Sequence, residues 1–384
     1  MKTALLVGCG AEIGSTLVGM VDPVRDGFRI SAILTHPIPP DPKHPHLHPL
    51  DSLYARVVLA QPSLLDAVQL IYDKNQLLIR GQAIQVYWGD SVQFDLSQFK
   101  ESFDICVLAT SKKQIGDSQI IGRFAQIAGL VIGVSEAKLL PAVYPNLTGL
   151  PDTVLSNPPR PIQSQRLFCV GSCQSNGWHA PLRGLLELVE HTQLNTFHIA
   201  AIEVDIVHPD TPTGRLGTQS IEARHQDPRN NFRPSFSQIE MSMNLLFPQS
   251  HNLSTVSLRT LTMPPGYQIC HFFFQYSRKS KQRLTREEVV TSFRQTADSR
   301  PTTLRMSDLP LGSRAFEQCE SAAVALSGEP FFRFYDNPFH LPMDSAVSEL
   351  ITQTYVHNVR GYCRSVIEAI RYLLFDPSPK AFFK

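Results

Sequence analysis

Cys173, in the run Val170-Gly171-Ser172-Cys173-Gln174-Ser175-Asn176, is the residue best suited to covalent chemistry in this chain. A strand-like run, residues 167–170, leads into it, and an amphipathic run, residues 180–191, follows. The pattern predicts a strand-to-helix turn with the helix beginning near Ser175. A thiol there faces the positive end of a helix dipole and a cluster of unpaired N–H groups. Both favour the thiolate, which is the nucleophile, so a pKa below the ordinary value of about 8.5 is expected. The same N–H groups suit an oxyanion. The polar neighbours Ser172, Ser175 and Asn176 argue against a cysteine that merely fills an apolar core.

The second chemical constellation is at the start of the chain. Residues 3–7 read as a short apolar strand, and Gly8-Cys9-Gly10-Ala11-Glu12-Ile13-Gly14 as a glycine turn. Residues 15–21 read as a helix and 28–34 as a second strand ending at Thr35-His36-Pro37. Glycines at such a turn let backbone N–H groups approach a pyrophosphate at the helix amino end. Gly8, Gly10, Ile13 and Gly14 are therefore candidate dinucleotide contacts, although G-x-G-x-x-x-G is one residue longer than the common spacing. An acidic residue normally follows the second strand and holds the adenosine ribose. His36 stands there instead, and without a carboxylate to repel a ribose phosphate NADP joins NAD as an expected cofactor. Thr110, where the apolar run 104–109 turns small and polar, is a further candidate cofactor contact.

These residues need a framework to hold them. Up to Gly171 the chain alternates strands and helices, as in a mostly parallel α/β sheet. Residues 76–87 read as a hairpin turning at Arg80-Gly81. The Pro-rich stretch 150–160 reads as a connecting loop. The loop 37–50 carries alternating His44, His46 and His48, but no Cys or acidic cluster completes a metal site, and no metal is expected. Beyond Cys173, residues 196–207, 254–262 and 267–276 are rich in β-branched and aromatic side chains and predict a mostly antiparallel sheet. Residues 286–296 and 345–353 fit helix or strand equally well, and 362–374 form an amphipathic helix. The expected organisation is an N-terminal Rossmann-type dinucleotide-binding domain over 1–171, an α+β catalytic and oligomerisation domain over 172–354, and a terminal segment over 355–384.

Composition narrows the function classes. The 384 residues suffice for two domains. Lys plus Arg total 35 against 34 Asp plus Glu, a net charge of +1 that gives no case for nucleic acid or an anionic membrane as partner. Seven dispersed Cys without a CxxC pair suit a reducing compartment. No apolar run reaches membrane-spanning length, and the first residues do not read as a signal peptide, so a cytoplasmic location is expected. The sequons at Asn146 and Asn252 are then coincidental. Phe272, Phe273 and Phe274 make one strand unusually apolar, which predicts a homo-oligomer, a tetramer or dimer.

Taken in order along the chain, several segments resemble the glyceraldehyde-3-phosphate dehydrogenase family. The glycine turn comes first. Asp51-Ser52-Leu53-Tyr54 resembles the family's Asp-Ser-x-x-Gly stretch. Leu77-Leu78-Ile79-Arg80-Gly81-Gln82-Ala83-Ile84 resembles its Leu-x-(Ile/Val)-Asn-Gly-x-x-Ile hairpin. The strand 104–111 resembles the one ending in Ser-Thr-Gly. Ser172-Cys173-Gln174-Ser175-Asn176, with Ala180-Pro181-Leu182, resembles Ser-Cys-Thr-Thr-Asn and its Ala-Pro-Leu. Tyr355-Val356-His357-Asn358-Val359-Arg360-Gly361-Tyr362 resembles Trp-Tyr-Asp-Asn-Glu-x-Gly-Tyr. The resemblance implies a small aldehyde or acyl substrate, attacked by Cys173 to give a thioester after hydride transfer to NAD or NADP. It also implies that Asn176 belongs to the catalytic run, that Asn358 contacts the nicotinamide amide, and that the terminal helix returns to the dinucleotide-binding domain.

The departures are as informative. The family's general base is a His in a Thr-Thr-Val-His strand, and the stretch 200–205 puts Glu203 at that place. Glu203 is therefore the expected base, with His208 and His179 as alternatives. The family's phosphate-binding residues also look eroded. Gln174 replaces a Thr, Pro234-Ser235-Phe236-Ser237 matches the Ser-Thr-Gly turn loosely, and Arg259 only lies near the expected Arg. Arg215, Arg224, Arg229 and Arg233 stud the intervening loop. The alternative to an enzyme is a paralogue that has lost catalysis and serves as a nucleotide-binding or regulatory subunit. An aspartate-semialdehyde-type reductase shares the expected fold, but its downstream Arg and His motif is not found here.

Overall fold

A computed structural model describes residues 1–37, 43–138, 140–150, 166–209, 232–248, 252–278, 280, 282–342 and 346–375. The chain is mixed α/β and is built on two multistranded sheets. Expectations on residues 151–160 and on Arg215, Arg224 and Arg229 lie outside the described residues.

The first sheet takes the N-terminal strands: β1 (Lys2–Val7), β2 (Phe28–Thr35), β3 (Val68–Ile71), β4 (Gln76–Ile79), β5 (Gln82–Trp88), β6 (Phe103–Leu108), β7 (Ala128–Gly133) and β8 (Leu167–Cys169). Their order is β3-β4-β5-β2-β1-β6-β7-β8. The run from β5 to β8 is parallel, while β3 and β4 pair antiparallel at one edge. Near-continuous burial along β1, β2, β6 and β7 is what a parallel sheet covered on both faces requires. The helices between them include α1 (Glu12–Met20), α2 (Pro23–Asp26), α3 (Pro49–Ala60), α4 (Lys112–Ile115) and α5 (Ser118–Phe124). The hairpin turns at Arg80 and Gly81, both with positive φ, as the Arg-Gly pair predicts. The strand order reverses direction between β1 and β6. In open α/β sheets a crevice opens at the carboxyl ends of strands at such a point.

The second sheet holds β9 (Leu194–Pro209), β10 (Arg233–Ser235), β11 (Leu253–Thr260), β12 (Gly266–Arg278), β13 (Leu304–Ser307), β14 (Ala323–Leu326), β15 (Phe332–Tyr335) and β16 (Ser348–Val356). The order is β10-β11-β9-β12-β16-β14-β13, with β15 also on β16. Most pairs are antiparallel; β9 with β11 and β13 with β14 are parallel. One face carries α6 (Cys173–His191), and α8 (Arg286–Ser299) packs against α6. A side chain at Gly177 of α6 would strike Val356 of β16, and one at Gly184 would strike Phe293 of α8, so both contacts depend on glycine. Strict alternation on β12 and β16 turns Phe272, Phe274, Leu350 and Thr352 inward. Phe272 and Phe274 are fully buried, each worth about 2–3 kcal/mol of transfer from water. Only Phe273 of the aromatic trio faces the other way, so most of that strand's apolar character belongs to the core.

Residues 286–299 are helical, with a reciprocal capping box between Thr285 and Glu288, and 348–356 are a strand. α7 (Ile239–Leu246) packs on β11 and α6. The last described helix, α9 (Arg360–Phe375), packs against α1 of the first sheet. Cys363 Sγ lies 3.6 Å from the Ile13 carbonyl. Arg364, almost wholly buried, pairs with the fully buried Asp26 at 3.2 Å and with Glu320 at 2.9 Å. Breaking a buried pair of this kind by removing one partner costs about 3–5 kcal/mol. α9 is thus fastened to elements beside both sheets.

Candidate active site

The chain leaves β8 through Val170-Gly171-Ser172 and enters α6 at Cys173, two residues before the expected start. Ser172 accounts for the difference. Its hydroxyl caps the helix by accepting from the Ser175 N–H at 3.0 Å, and its carbonyl accepts from the Asn176 N–H at 3.0 Å. The turn is braced from three sides. The buried Glu136 carboxylate accepts from the Ser172 N–H at 3.0 Å, the Ser175 hydroxyl at 3.1 Å and the Tyr144 hydroxyl at 2.7 Å. Tyr362 of α9 donates to the Gly171 carbonyl at 2.8 Å. Asn176 donates to the carbonyls of Val170 at 2.8 Å and Ser172 at 3.0 Å. Asn176, expected as part of the catalytic set, is therefore a buried brace that ties strand exit to helix.

Cys173 is the one cysteine among the seven that is not buried as a residue. Two side chains meet its sulfur. His208 Nε2 is 3.5 Å away, and Asn358 Nδ2 donates from 3.6 Å. Each is oriented by a second contact. The Pro209 carbonyl lies 2.5 Å from His208 Nδ1, so the proton sits on Nδ1 and the Nε2 lone pair faces the thiol. The Gly266 N–H donates to Asn358 Oδ1 at 3.0 Å, which turns the carboxamide nitrogen toward sulfur. Asn358, expected at a nicotinamide amide, thus has its carboxamide on the thiol and on Gly266.

His208 stands at the end of β9, and the strand's alternation decides between the expected bases. Ile202, Val204 and Ile206 are buried on the inner face, and His208 shares their parity. Glu203 has the opposite parity, on the face away from α6, beside His271 of β12 and Ser254 of β11. The expectation for Glu203 as the base is corrected: the group on the thiol is His208. The signal lay in the sequence, since three alternating apolar residues already fix which side of β9 faces inward. His179 is wholly buried in α6 against the rings of Tyr144 and Trp178, with centroids at 4.4 and 4.7 Å. Burial holds it well below the ordinary histidine value, as a neutral core ring.

The electrostatics differ from the expectation of a depressed thiol pKa. Burial pushes the Cys173 thiol up, and the opposing pulls of Asn358, the local backbone N–H groups and the Arg259 charge do not overcome it. Burial, assisted by the Arg259 charge, takes His208 down to about 4. The resting pair is therefore neutral thiol and neutral imidazole near pH 7. Arg259 of β11 bonds Ser235 of β10 at 3.3 Å. Gln174, beside Cys173, accepts from the Gln238 N–H at 3.0 Å, and its buried Nε2 has no hydrogen-bond partner among the described residues.

The glycine turn opens on a separate cavity of about 550 Å³ at the carboxyl ends of β1, β2 and β6. Gly8, Gly10, His36 and Thr110 line it, together with Arg56 of α3, which sequence reasoning did not single out. Gly8 has φ +91°, and a side chain there would strike the Ala109 carbonyl. A side chain on Gly14 would lie 2.0 Å from the Gly8 carbonyl, so α1 meets β1 closely only because both are glycine. Gly14 packs the turn from beneath, while Ile13 is partly buried and its carbonyl faces Cys363. The residue before α1 is Ala11, and no side chain caps that helix. The Thr110 hydroxyl is buried without a hydrogen-bond partner among the described residues. His36 pairs with Asp90 at 2.9 Å. His48 caps α3 by accepting from the Leu50 N–H at 3.2 Å, and no group of three metal-ligating side chains occurs among the described residues.

The parallel strands all point the same way, so the cavity beyond β1 and β6 and the thiol beyond β8 share one edge of the sheet. β6 and β8 are two strand spacings apart, about 10 Å. Among the described residues no helix is long and apolar enough to cross a membrane. No family model matches this chain, and no curated protein matches it.

Proposed function

We propose that this chain is an oxidoreductase of the glyceraldehyde-3-phosphate dehydrogenase type, interconverting an aldehyde and an acyl derivative through a thioester on Cys173 with NAD or NADP. The observation that carries the reading is the oriented pair of Cys173 and His208, 3.5 Å apart, with Asn358 donating to the same sulfur. His208 Nε2 takes the thiol proton as Sγ bonds to the aldehyde carbon, giving a hemithioacetal. The lone-pair orientation imposed by Pro209 suits that transfer. His208 then returns a proton and takes the one from the hemithioacetal hydroxyl as the carbon loses hydride. An acyl acceptor attacks the resulting thioester, and Cys173 leaves as the thiol group restored. Arg259, whose charge reaches the Cys173 thiol, is the cation suited to an anionic group of the substrate.

The residues around the glycine turn fit a dinucleotide. The uncapped start of α1, the closely packed Gly8 and Gly14, and the unpartnered Thr110 hydroxyl leave donors directed at the cavity. Gly8, Gly10 and Thr110 would hold the bound group, and its nicotinamide would supply the hydride acceptor. On this reading residues 1–171 bind the dinucleotide, 172–354 carry the chemistry, and 355–384 return to the first part. The half-exposed face of β12 and β16, with Ile269, Phe273 and Ile351, suits a second copy of the chain in a dimer or tetramer. The cytoplasm is the compartment consistent with seven free thiols.

The test is a single turnover. With an aldehyde, oxidised nicotinamide and no acyl acceptor, one equivalent of reduced nicotinamide per chain should form in a burst. Cys173→Ser should abolish the burst and leave nucleotide binding intact. Binding without a burst on any aldehyde would instead favour a non-catalytic nucleotide-binding subunit.

A further inference from the structure

We infer that the glycine-turn cavity selects the phosphorylated dinucleotide, NADP, over NAD, through Arg56; this rests on the reading of that cavity as the dinucleotide site. The cavity lining contains no Asp or Glu among the described residues. Its one permanently charged side chain is Arg56, exposed on α3. One Nη of Arg56 donates to the Gly10 carbonyl, which fixes the guanidinium over the glycine turn. A guanidinium carries five N–H donors, so others remain for an anion. β2 ends at Thr35 and His36 follows it, with no carboxylate to accept from a 2′-hydroxyl. The Thr35 hydroxyl already accepts from the Cys9 N–H at 3.3 Å.

Asp90, paired with His36, is engaged elsewhere. Its Oδ2 meets His36 Nε2 at 2.9 Å, and its Oδ1 accepts from the Val92 N–H at 2.6 Å. Those contacts hold its carboxyl below the usual range, so it is ionised at neutral pH. The His36 ring lines the cavity, while Asp90 does not. An acidic residue in place of His36 would accept the ribose hydroxyl of NAD and repel a phosphate. Here a fixed cation faces the cavity and the acid is turned aside, which is the arrangement a 2′-phosphate requires.

Titration of the full chain with NADPH and NADH, read by nucleotide fluorescence or calorimetry, tests the assignment. NADPH should bind about tenfold more tightly at low salt, and the gap should narrow as salt rises, since the cation is exposed. Arg56→Gln should lose about tenfold for NADPH and leave NADH within twofold, with Arg56→Lys intermediate. Thermal melting of both variants should match the parent. NADH binding as tightly as NADPH would overturn the inference and leave the site intact. An equal loss for both nucleotides in Arg56→Gln would place Arg56 on the pyrophosphate, which also overturns it. Failure of both nucleotides to bind at millimolar concentration would remove the dinucleotide reading of the cavity itself.

Discussion

Two helices begin at the carboxyl edge of the first sheet, and they begin in opposite ways. α1 starts from Ala11 without a side-chain cap, beside two glycines and an open cavity. α6 starts from Ser172, whose hydroxyl takes an N–H of the first turn, with the Glu136 carboxylate directly behind it. The first helix has only Glu12 in its first turn and no capping side chain. The partial positive charge of the second is already answered by protein. A helix amino end therefore does not by itself activate the thiol placed on it. At Cys173 the local backbone N–H groups pull the pKa down, yet burial outweighs them. What remains to activate the sulfur is the side chain that can take its proton.

The largest effect should come from that side chain. His208→Asn should lower turnover about 10²-fold or more, with nucleotide affinity unchanged. Glu203→Gln, on the opposite face of the same strand, should leave turnover within twofold. Reversed results would restore Glu203 as the base and would mean that the inward parity of β9 does not decide the chemistry.

Alkylation of Cys173 sharpens the comparison directly. With the thiol raised and His208 near 4, no thiolate–imidazolium pair forms in the free protein. The rate with iodoacetamide should then climb about tenfold per pH unit through neutrality and continue beyond pH 9. A plateau beginning below pH 7 would show that the start of α6 does stabilise the thiolate.

A smaller effect tests the plug itself. Burial raises Glu136 from its ordinary value in spite of its three donors. A carboxyl raised in the folded state contributes fully to stability below its unfolded value, and that contribution is lost as pH rises through the folded value. Glu136→Gln removes the titration and keeps the shape. Its melting temperature should therefore gain on the parent by a few degrees between pH 5 and pH 8. A gap independent of pH would mean that the Glu136 proton does not move in this range.

The parts legible in sequence were those encoded by neighbours along the chain. The glycine turn, the Arg80-Gly81 hairpin and the strand before Cys173 each depend on a few consecutive residues. His208 stands five positions beyond Glu203, and the alternation of Ile202, Val204 and Ile206 gives its face where similarity to a short family segment points to Glu203. Arg56 and Glu136 carried no signal in sequence. Arg56 reaches the glycine turn across 46 residues, and Glu136 reaches Ser172 across 36. Only the packing of α3 on α1, and of the 134–138 segment on the turn, brings them to their places.

The fastening of α9 has a consequence for biosynthesis. Cys173 and Asn358, which share one hydrogen bond, are separated by 185 residues. At about 5–20 residues per second, a ribosome needs roughly 10–40 s to travel between them. Throughout that interval the nascent chain holds a thiol without its carboxamide donor, a Gly171 carbonyl without Tyr362, and a buried Asp26 without Arg364. The first sheet can form early from its consecutive strands, but the contacts on the Cys173 turn are complete only when Asn358 and α9 arrive. A chain truncated before residue 355 should therefore be born with the Cys173 thiol and the Gly171 carbonyl lacking these partners.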